Sequence, residues 1–139
     1  MAQPFPNHPN LRGGFAPLQM ECDVNDLVVE GEIPKELNGS FYRNGPNPQY
    51  APRGHYHWFG GDGMIHAFHL EDGRVSYRNR WVRTVKWQKE REAGRSLFSA
   101  FNPMDNDESV AGLETDGVAN TNIVWHGDKL LALEEGHAP

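Results

Sequence analysis

The sequence predicts a mostly β fold, and three observations support this class. The chain has 15 Gly and 10 Pro among 139 residues and is only 37% hydrophobic, which favours short turn-linked elements over a helical bundle. Runs of alternating polar and apolar residues are separated by Gly-Asp turns. The length is sufficient for one domain with a core of its own.

The first 25 residues are predicted to form an N-terminal arm. Residues 1–17 are rich in Pro and Asn and have no periodicity. Leu27–Val29 can start a short strand, and IPKELNG is typical of a turn or one helical turn that Gly39 closes. Ser40–Asn44 is predicted to be a strand, which GPNP stops because proline cannot donate to a ladder.

The central block predicts a three-stranded meander. HYHWF (55–59) and MIHAFHL (64–70) alternate between two faces, and GGDG joins them in a tight turn. EDG then turns into the third run, RVSYRNRWVRTVKW (74–87). We expect the three runs to pair as neighbours.

The last third of the chain predicts a helix, a loop and a hairpin. Residues 89–101 contain several good helix formers, so we expect a short helix there despite Gly94. Residues 102–117 are loop-like. Residues 119–136 predict a strand, a His-Gly-Asp turn and a second strand.

Composition argues against several classes of protein. The net charge is −6, so the chain lacks the basic stripe that nucleic-acid-binding proteins usually carry. The single Cys22 excludes an internal disulfide and favours a reducing compartment. No apolar run approaches the roughly 20 residues of a membrane span, and the N-terminus does not resemble a signal peptide. We therefore expect a cytoplasmic location.

A cluster of histidines raises the question of a metal site. Four of the seven histidines lie between positions 55 and 69. On a strand His55 and His57 would share one face, and Asp62 on the following turn could complete a set of three ligands. Against this, the histidines lie among aromatic residues, where a histidine more often makes one hydrogen bond in a core. Both readings stay open on the residues alone.

Two sets of charged residues need an explanation: one lies near the end of the chain and the other around the predicted helix. Glu134 and Glu135 would alternate faces, so one carboxylate would point inward, which costs free energy unless it is paired. Basic residues beside Trp87 could touch anionic lipid, but the neighbouring Glu90 and Glu92 favour a solvated helix face. These basic residues are Lys86, Lys89, Arg91 and Arg95.

Three blocks in register resemble one family. GSFYRNGPNP, HWFGGDGMIHAFHLEDGRVSYRNRWVRT and ANTNIVWHGDKLLALEEGHAP strongly resemble the N-terminal part of the carotenoid cleavage oxygenases. This family includes enzymes that cleave apocarotenoids, stilbenes and lignostilbene, and the retinal pigment epithelium isomerase. The resemblance covers about residue 26 to the end, and FGGDG departs slightly from the family's commoner Phe-Asp-Gly-Asp-Gly.

The resemblance implies a fold and a chemistry. It implies a seven-bladed β-propeller with a helical cap segment, in which residues 1–25 are the arm. Residues 26–139 would be the first strands or blades, incomplete at the C-terminus. In the family a non-haem Fe(II) is held by four histidines and binds O₂. Three glutamates hold three of those histidines by hydrogen bonds, and a conjugated C=C bond is split into two carbonyl products.

Individual positions can then be compared with the family pattern. None of the seven histidines matches an iron ligand, since the first ligand would lie beyond this chain, and His66 serves the fold. Glu135 matches the first glutamate that holds an iron-binding histidine, which would fit an inward carboxylate. Phe98 and Glu134 match positions beside the substrate tunnel, where stilbene-cleaving relatives are expected to have Tyr and Lys. This departure favours an apolar apocarotenoid-like polyene over a hydroxystilbene as substrate.

The leading hypothesis is therefore the N-terminal portion of an Fe(II)-dependent dioxygenase, inactive by itself. An alternative is a catalytically inactive β-rich interaction module that pairs its exposed edge with a partner. A second alternative is a small metalloprotein that uses His55, His57 and Asp62. Peripheral membrane contact stays an option, although core burial explains its candidate residues equally well. These candidates are Trp87, Leu97, Phe98 and Phe101.

Overall fold

A four-stranded antiparallel sheet is the main element of the computed structural model, which describes residues 3–139. The mostly β class is confirmed, and the first two residues of the predicted arm, Met1 and Ala2, lie outside the described residues. The strands are β1 (Asp23–Val24), β2 (Gly39–Pro46), β3 (Gly63–Glu71), β4 (Arg74–Trp81), β5 (Asn122–His126) and β6 (Lys129–Leu133). The sheet has the strand order β1-β4-β3-β2, and β5 and β6 form a separate hairpin. Helix α1 is Val85–Ala93, and 3₁₀ turns lie at Pro9–Leu11, Gly13–Phe15, Trp58–Gly60, Pro103–Asp105 and Glu108–Val110.

Both two-residue hairpin turns follow from their sequence. Asp72 and Gly73 have φ of 49° and 76°, and Gly127 and Asp128 have φ of 55° and 58°. Positive φ at both central residues matches the right-handed twist of the flanking strands, and Gly and Asp tolerate it. The predicted hairpins β3–β4 and β5–β6 are confirmed.

The predicted first strand of the meander is wrong. Residues 55–59 do not form a strand; instead the His57 side chain accepts a hydrogen bond from the Phe59 N–H and starts the 3₁₀ turn Trp58–Gly60. The place beside β3 is taken by β2, which ends at Pro46. A proline is tolerated at this end of the strand because it has no N–H that would need a partner. Leu27–Val29 is also not a strand, although the Leu27 N–H bonds the Val75 carbonyl at 2.9 Å.

The helix lies earlier in the chain than predicted. Thr84 caps its N-terminus by accepting a hydrogen bond from the Trp87 N–H at 3.1 Å. The third predicted β run therefore divides into a strand that ends at Trp81 and the start of this helix. Gly94, with φ of 68°, ends the helix in the left-handed conformation. The prediction of 89–101 was therefore wrong at both ends, because it missed the Thr84 cap and continued the helix past Gly94.

Buried asparagines tie the N-terminal segment to the sheet. The Asn47 side chain accepts from the Leu18 N–H at 2.7 Å and donates to the Leu18 carbonyl at 2.9 Å. Asn79 makes the same kind of bridge, accepting from the Cys22 N–H at 2.7 Å and donating to the Met20 carbonyl at 2.9 Å. The segment thus obtains sheet-like hydrogen bonds from side chains where no neighbouring strand supplies them.

Two small apolar clusters form the core. The first packs the sheet against α1 through Met64, Trp81 and Trp87, and the second contains Leu97, Phe98 and Val110. Among residues 3–139, α1 and the other helical segments are too short and too polar to cross a lipid bilayer.

Candidate functional site

A cavity of about 400 Å³ lies where the segment after α1 meets the end of β6. Its wall contains both apolar side chains and charged or polar groups. The apolar residues are Phe59, Phe98, Ala100, Phe101, Pro103, Leu113 and Val118, and the polar ones include Lys86, Ser99, Asn106, Thr115, Glu134 and His137. This combination of apolar surface with a few polar groups is typical of a small-molecule site.

The structure brings Phe98 and Glu134 to the same cavity. Phe98 is 7% exposed, and the Glu134 side chain is 11% exposed. One Glu134 carboxylate oxygen accepts from the Val118 N–H at 2.9 Å, and the other contacts His137. Gly117 permits this approach, because a Cβ there would overlap with the Glu134 carboxylate.

Glu134 stays ionised in this environment. Burial opposes its charge, but the hydrogen bond from the Val118 N–H and the contact with His137 hold the pKa of Glu134 below its usual value. The cavity therefore presents a carboxylate at neutral pH.

Glu135 is the exposed member of the pair, and its role beside an iron-binding histidine stays a prediction. β6 ends at Leu133, and the two glutamates lie just beyond it. Glu135 receives one long hydrogen bond, from the Thr121 hydroxyl at 3.4 Å, and does not line the cavity. Its carboxylate remains accessible to a donor from outside the chain.

A buried ion network lies beside the cavity, which Lys86 lines. The Lys86 ammonium donates to Asp62 at 2.6 Å and to Glu90 at 2.9 Å, and both carboxylates are 1% exposed. Burial alone would lower the pKa of Lys86, but the two carboxylates raise it above its usual value. Lys86 is therefore a permanent cation that balances part of the buried negative charge.

The prediction of a solvated helix face is wrong at Lys86 and Glu90. Both are buried, whereas Lys89 and Glu92 form an exposed pair. The spacing of Lys86 and Glu90 by four residues was the available signal, because such residues are neighbours on a helix. Sequence alone could not show which charged pair faced the protein.

The membrane-contact candidates are mostly core residues. Trp87, Leu97 and Phe98 are buried, and only Phe101 is exposed, at 55%. Phe59, which the sequence did not single out, is more exposed at 73%, and Asn120 positions it by donating to its carbonyl at 3.0 Å. The exposed aromatic rings thus lie at the rim of the cavity.

The histidine-based metal set is not assembled. His55 is exposed, the Nδ1 of His57 accepts from the Phe59 N–H, and Asp62 is bonded to Lys86 and to the Gln49 N–H. Residues 3–139 contain no group of three or more His, Cys, Asp or Glu side chains placed to hold a metal ion. His66 instead shares a 2.7 Å hydrogen bond with Tyr77 in the sheet.

A larger, open depression of about 940 Å³ lies elsewhere, beside residues 50–54 and 93–96. Its guanidinium groups, Arg53 and Arg95, both contact the Asp107 carboxylate. Because these cations are already paired and the wall is mainly polar, we regard the smaller cavity at Phe98 and Glu134 as the candidate site.

Comparisons with known proteins identify relatives of the chain. Residues 15–139 match the family model of the retinal pigment epithelial membrane protein. The chain is 47% identical to an isoeugenol monooxygenase of Pseudomonas nitroreducens, over all of the chain and 29% of the relative. It is 38% identical to a carotenoid 9,10(9',10')-cleavage dioxygenase 1 of Pisum sativum, over 95% of the chain and 27% of the relative.

A solved structure shares the fold. The crystal structure of the lignostilbene dioxygenase of Pseudomonas brassicacearum superposes with a TM-score of 0.88 at 39% identity. The match covers 96% of this chain and 28% of that one. The chain thus spans less than a third of the length of these relatives.

Proposed function

The chain belongs to the carotenoid cleavage oxygenase family, which includes the retinal pigment epithelial membrane protein, and from this premise we propose that the full-length protein cleaves a conjugated C=C bond with O₂. In this reaction the two alkene carbons separate and each receives one oxygen atom, giving two carbonyl products. Residues 26–139 would supply the first part of a propeller, with residues 1–25 as its arm. The observation that carries the proposal is the agreement in fold with a lignostilbene dioxygenase over nearly the whole chain.

The proposed role of this chain is to bind one end of the substrate. The rings of Phe59, Phe98 and Phe101 offer an apolar and aromatic surface of the kind on which a conjugated system packs. The Glu134 carboxylate lies in the same wall and would repel an anionic group. We therefore expect the substrate end at this cavity to be neutral, as in an apolar polyene or an unionised aryl alkene.

The iron of the proposed reaction would be held outside this chain. The described residues do not fit an iron site, because no three potential ligands converge among positions 3–139. When bound elsewhere in the full-length protein, the Fe(II) would supply O₂ activation. Glu135 is proposed to accept a hydrogen bond from one of its histidines, and its exposure supports this role.

The test uses the full-length protein purified with Fe(II). It is incubated under ¹⁸O₂ with 4-hydroxystilbene, unsubstituted stilbene and an apocarotenoid, and the products are reduced at once so that the label is not lost to water. We expect two products, each with one ¹⁸O atom. We also expect slower cleavage of 4-hydroxystilbene than of the other two substrates above the pKa of its phenol, where its end becomes anionic beside Glu134. Absence of cleavage of all three substrates, or label in only one product, would contradict a dioxygenase.

A further inference from the structure

Glu90 connects two parts of the molecule, and both of them contribute residues to the cavity wall. One carboxylate oxygen accepts from the Lys86 ammonium at 2.9 Å. The other accepts from the backbone N–H groups of Leu97 and Phe98 at 2.9 and 3.1 Å and from the Ser96 hydroxyl at 3.2 Å. Glu90 thus connects α1 to the segment that carries Phe98.

The segment beyond α1 has no strand or helix to define its position. The helix ends at Gly94, and residues 95–101 make no ladder with a neighbouring strand beyond one bridge between Ser99 and Arg53. A buried carboxylate that accepts two adjacent backbone N–H groups fixes both peptide planes, because each bond is directional and charge-assisted. The direction in which the Phe98 side chain leaves the backbone is set by these planes.

From these contacts we propose that Glu90 is a positioning residue, which sets the place of the Phe98 ring in the cavity wall and so helps to determine which substrate end is accepted. This inference rests on the proposed function, because it assigns the cavity to substrate. Lys86 and Asp62 hold Glu90 in place: Lys86 bridges the two carboxylates, and Asp62 is itself fixed by the Gln49 N–H at 3.0 Å.

The first variant is Glu90→Gln in the full-length protein, with Glu92→Gln as its matched control. Glu92 carries the same charge on the same helix but is exposed and pairs with Lys89. A glutamine at 90 cannot accept both from Lys86 and from the segment, since its second terminal atom is a donor. We expect the ratio of kcat/KM for the two best substrates that differ only in their terminal ring to change by about fivefold or more. The control should leave this ratio unchanged.

A double-mutant cycle separates positioning from general destabilisation. If Glu90 acts through the ring, Glu90→Gln should alter the substrate ratio less than about twofold when Phe98 has already been changed to Leu. An equal effect in both backgrounds, or an unchanged ratio in Glu90→Gln alone, would overturn the inference.

Two further measurements keep the inference testable. Should Glu90→Gln fail to fold, Glu90→Asp keeps the charge opposite Lys86 but draws the carboxylate away from the Leu97 and Phe98 N–H groups, and the same change in ratio is expected. Should the wild-type protein cleave no alkene, the proposed function fails, and the crystal structure of the variant decides this inference separately. A Phe98 ring displaced by about 1 Å or more supports it, and an unmoved ring overturns it.

Discussion

Glu134 shows how a single side chain obtains its charge state from its neighbours. Its carboxylate is largely buried, which disfavours ionisation, yet the Val118 N–H and His137 compensate. The close approach requires that position 117 have no side chain. The charge in the cavity therefore depends on backbone donors as much as on charged partners.

The substitution Glu134→Gln is expected to lower stability in a pH-dependent way. Because the folded pKa of Glu134 lies below its usual value of 4.5, the carboxylate contributes stability above that pH and loses it as the pH falls through the folded value. At pH 7 we expect a loss of about 1–2 kcal/mol in the free energy of unfolding, which is the difference between a charge-assisted hydrogen bond and the neutral one that a glutamine would keep. Urea unfolding of the full-length protein between pH 7 and pH 3 measures this.

An exposed carboxylate without an assigned role provides the control for this substitution. Glu114→Gln should alter the free energy of unfolding by no more than about 0.5 kcal/mol at any of these pH values. A Glu134→Gln effect that is equally large at pH 3 would show that the loss comes from packing rather than from charge.

At the scale of elements, β3 begins where two segments that are distant in sequence lie in close contact. The Gly63 N–H donates to the Val118 carbonyl at 2.8 Å, and a Cβ on Gly63 would overlap with the Ala119 carbonyl. Asn44 on β2 donates to the same Ala119 carbonyl at 2.8 Å. The segment before β5 is thus docked on the start of β3, which places Val118 and Glu134 at the cavity.

Gly63→Ala is therefore expected to destabilise the protein. The added methyl group must push the backbone at Ala119 away, and overpacking of this kind costs about 1–3 kcal/mol. Gly45→Ala on the adjacent strand is the control, because nothing lies within 4 Å of a Cβ there and alanine is favoured over glycine in a strand. Unfolding midpoints in urea compare the two, and equal midpoints would contradict the close approach.

Asn47→Ala tests how the N-terminal segment is attached. The substitution removes both hydrogen bonds to Leu18 and leaves its N–H and carbonyl without these partners. We expect local opening to become easier by about 1–3 kcal/mol, which hydrogen exchange of the Leu18 amide reports directly. Asn25→Ala at an exposed position should leave that exchange rate unchanged.

At the scale of the whole molecule, one hairpin carries an exposed apolar surface. The β5–β6 hairpin exposes Trp125 at 68%, together with Val124 and Leu130. Exposed apolar strands usually mark an interface. The relatives are more than three times as long as the chain, so the proposal assigns this surface to later parts of the full-length protein.

Iron binding tests whether the metal site lies outside this chain. The 139-residue chain, incubated anaerobically with Fe(II), is expected to bind no stoichiometric iron, whereas the full-length protein should bind one ion tightly. Isothermal titration with near-UV circular dichroism measures binding and packing together. Tight one-to-one binding by a well-folded chain, lost on His57→Gln, would instead support the small metalloprotein.

The sequence by itself determined the mostly β class, both two-residue hairpins and the family, because these depend on local patterns such as Asp72-Gly73 and on motifs that keep their order. It located Phe98 and Glu134 as candidates only through the resemblance. The helix was placed too late, although Thr84 and Gly94 were visible as end signals. Tertiary structure alone decided that HYHWF is not a strand, that Lys86 and Glu90 are buried, and that Glu134 rather than Glu135 faces the cavity. The physical reason is that burial and pairing depend on contacts between residues far apart in the chain. No local pattern encodes which face of an element makes those contacts.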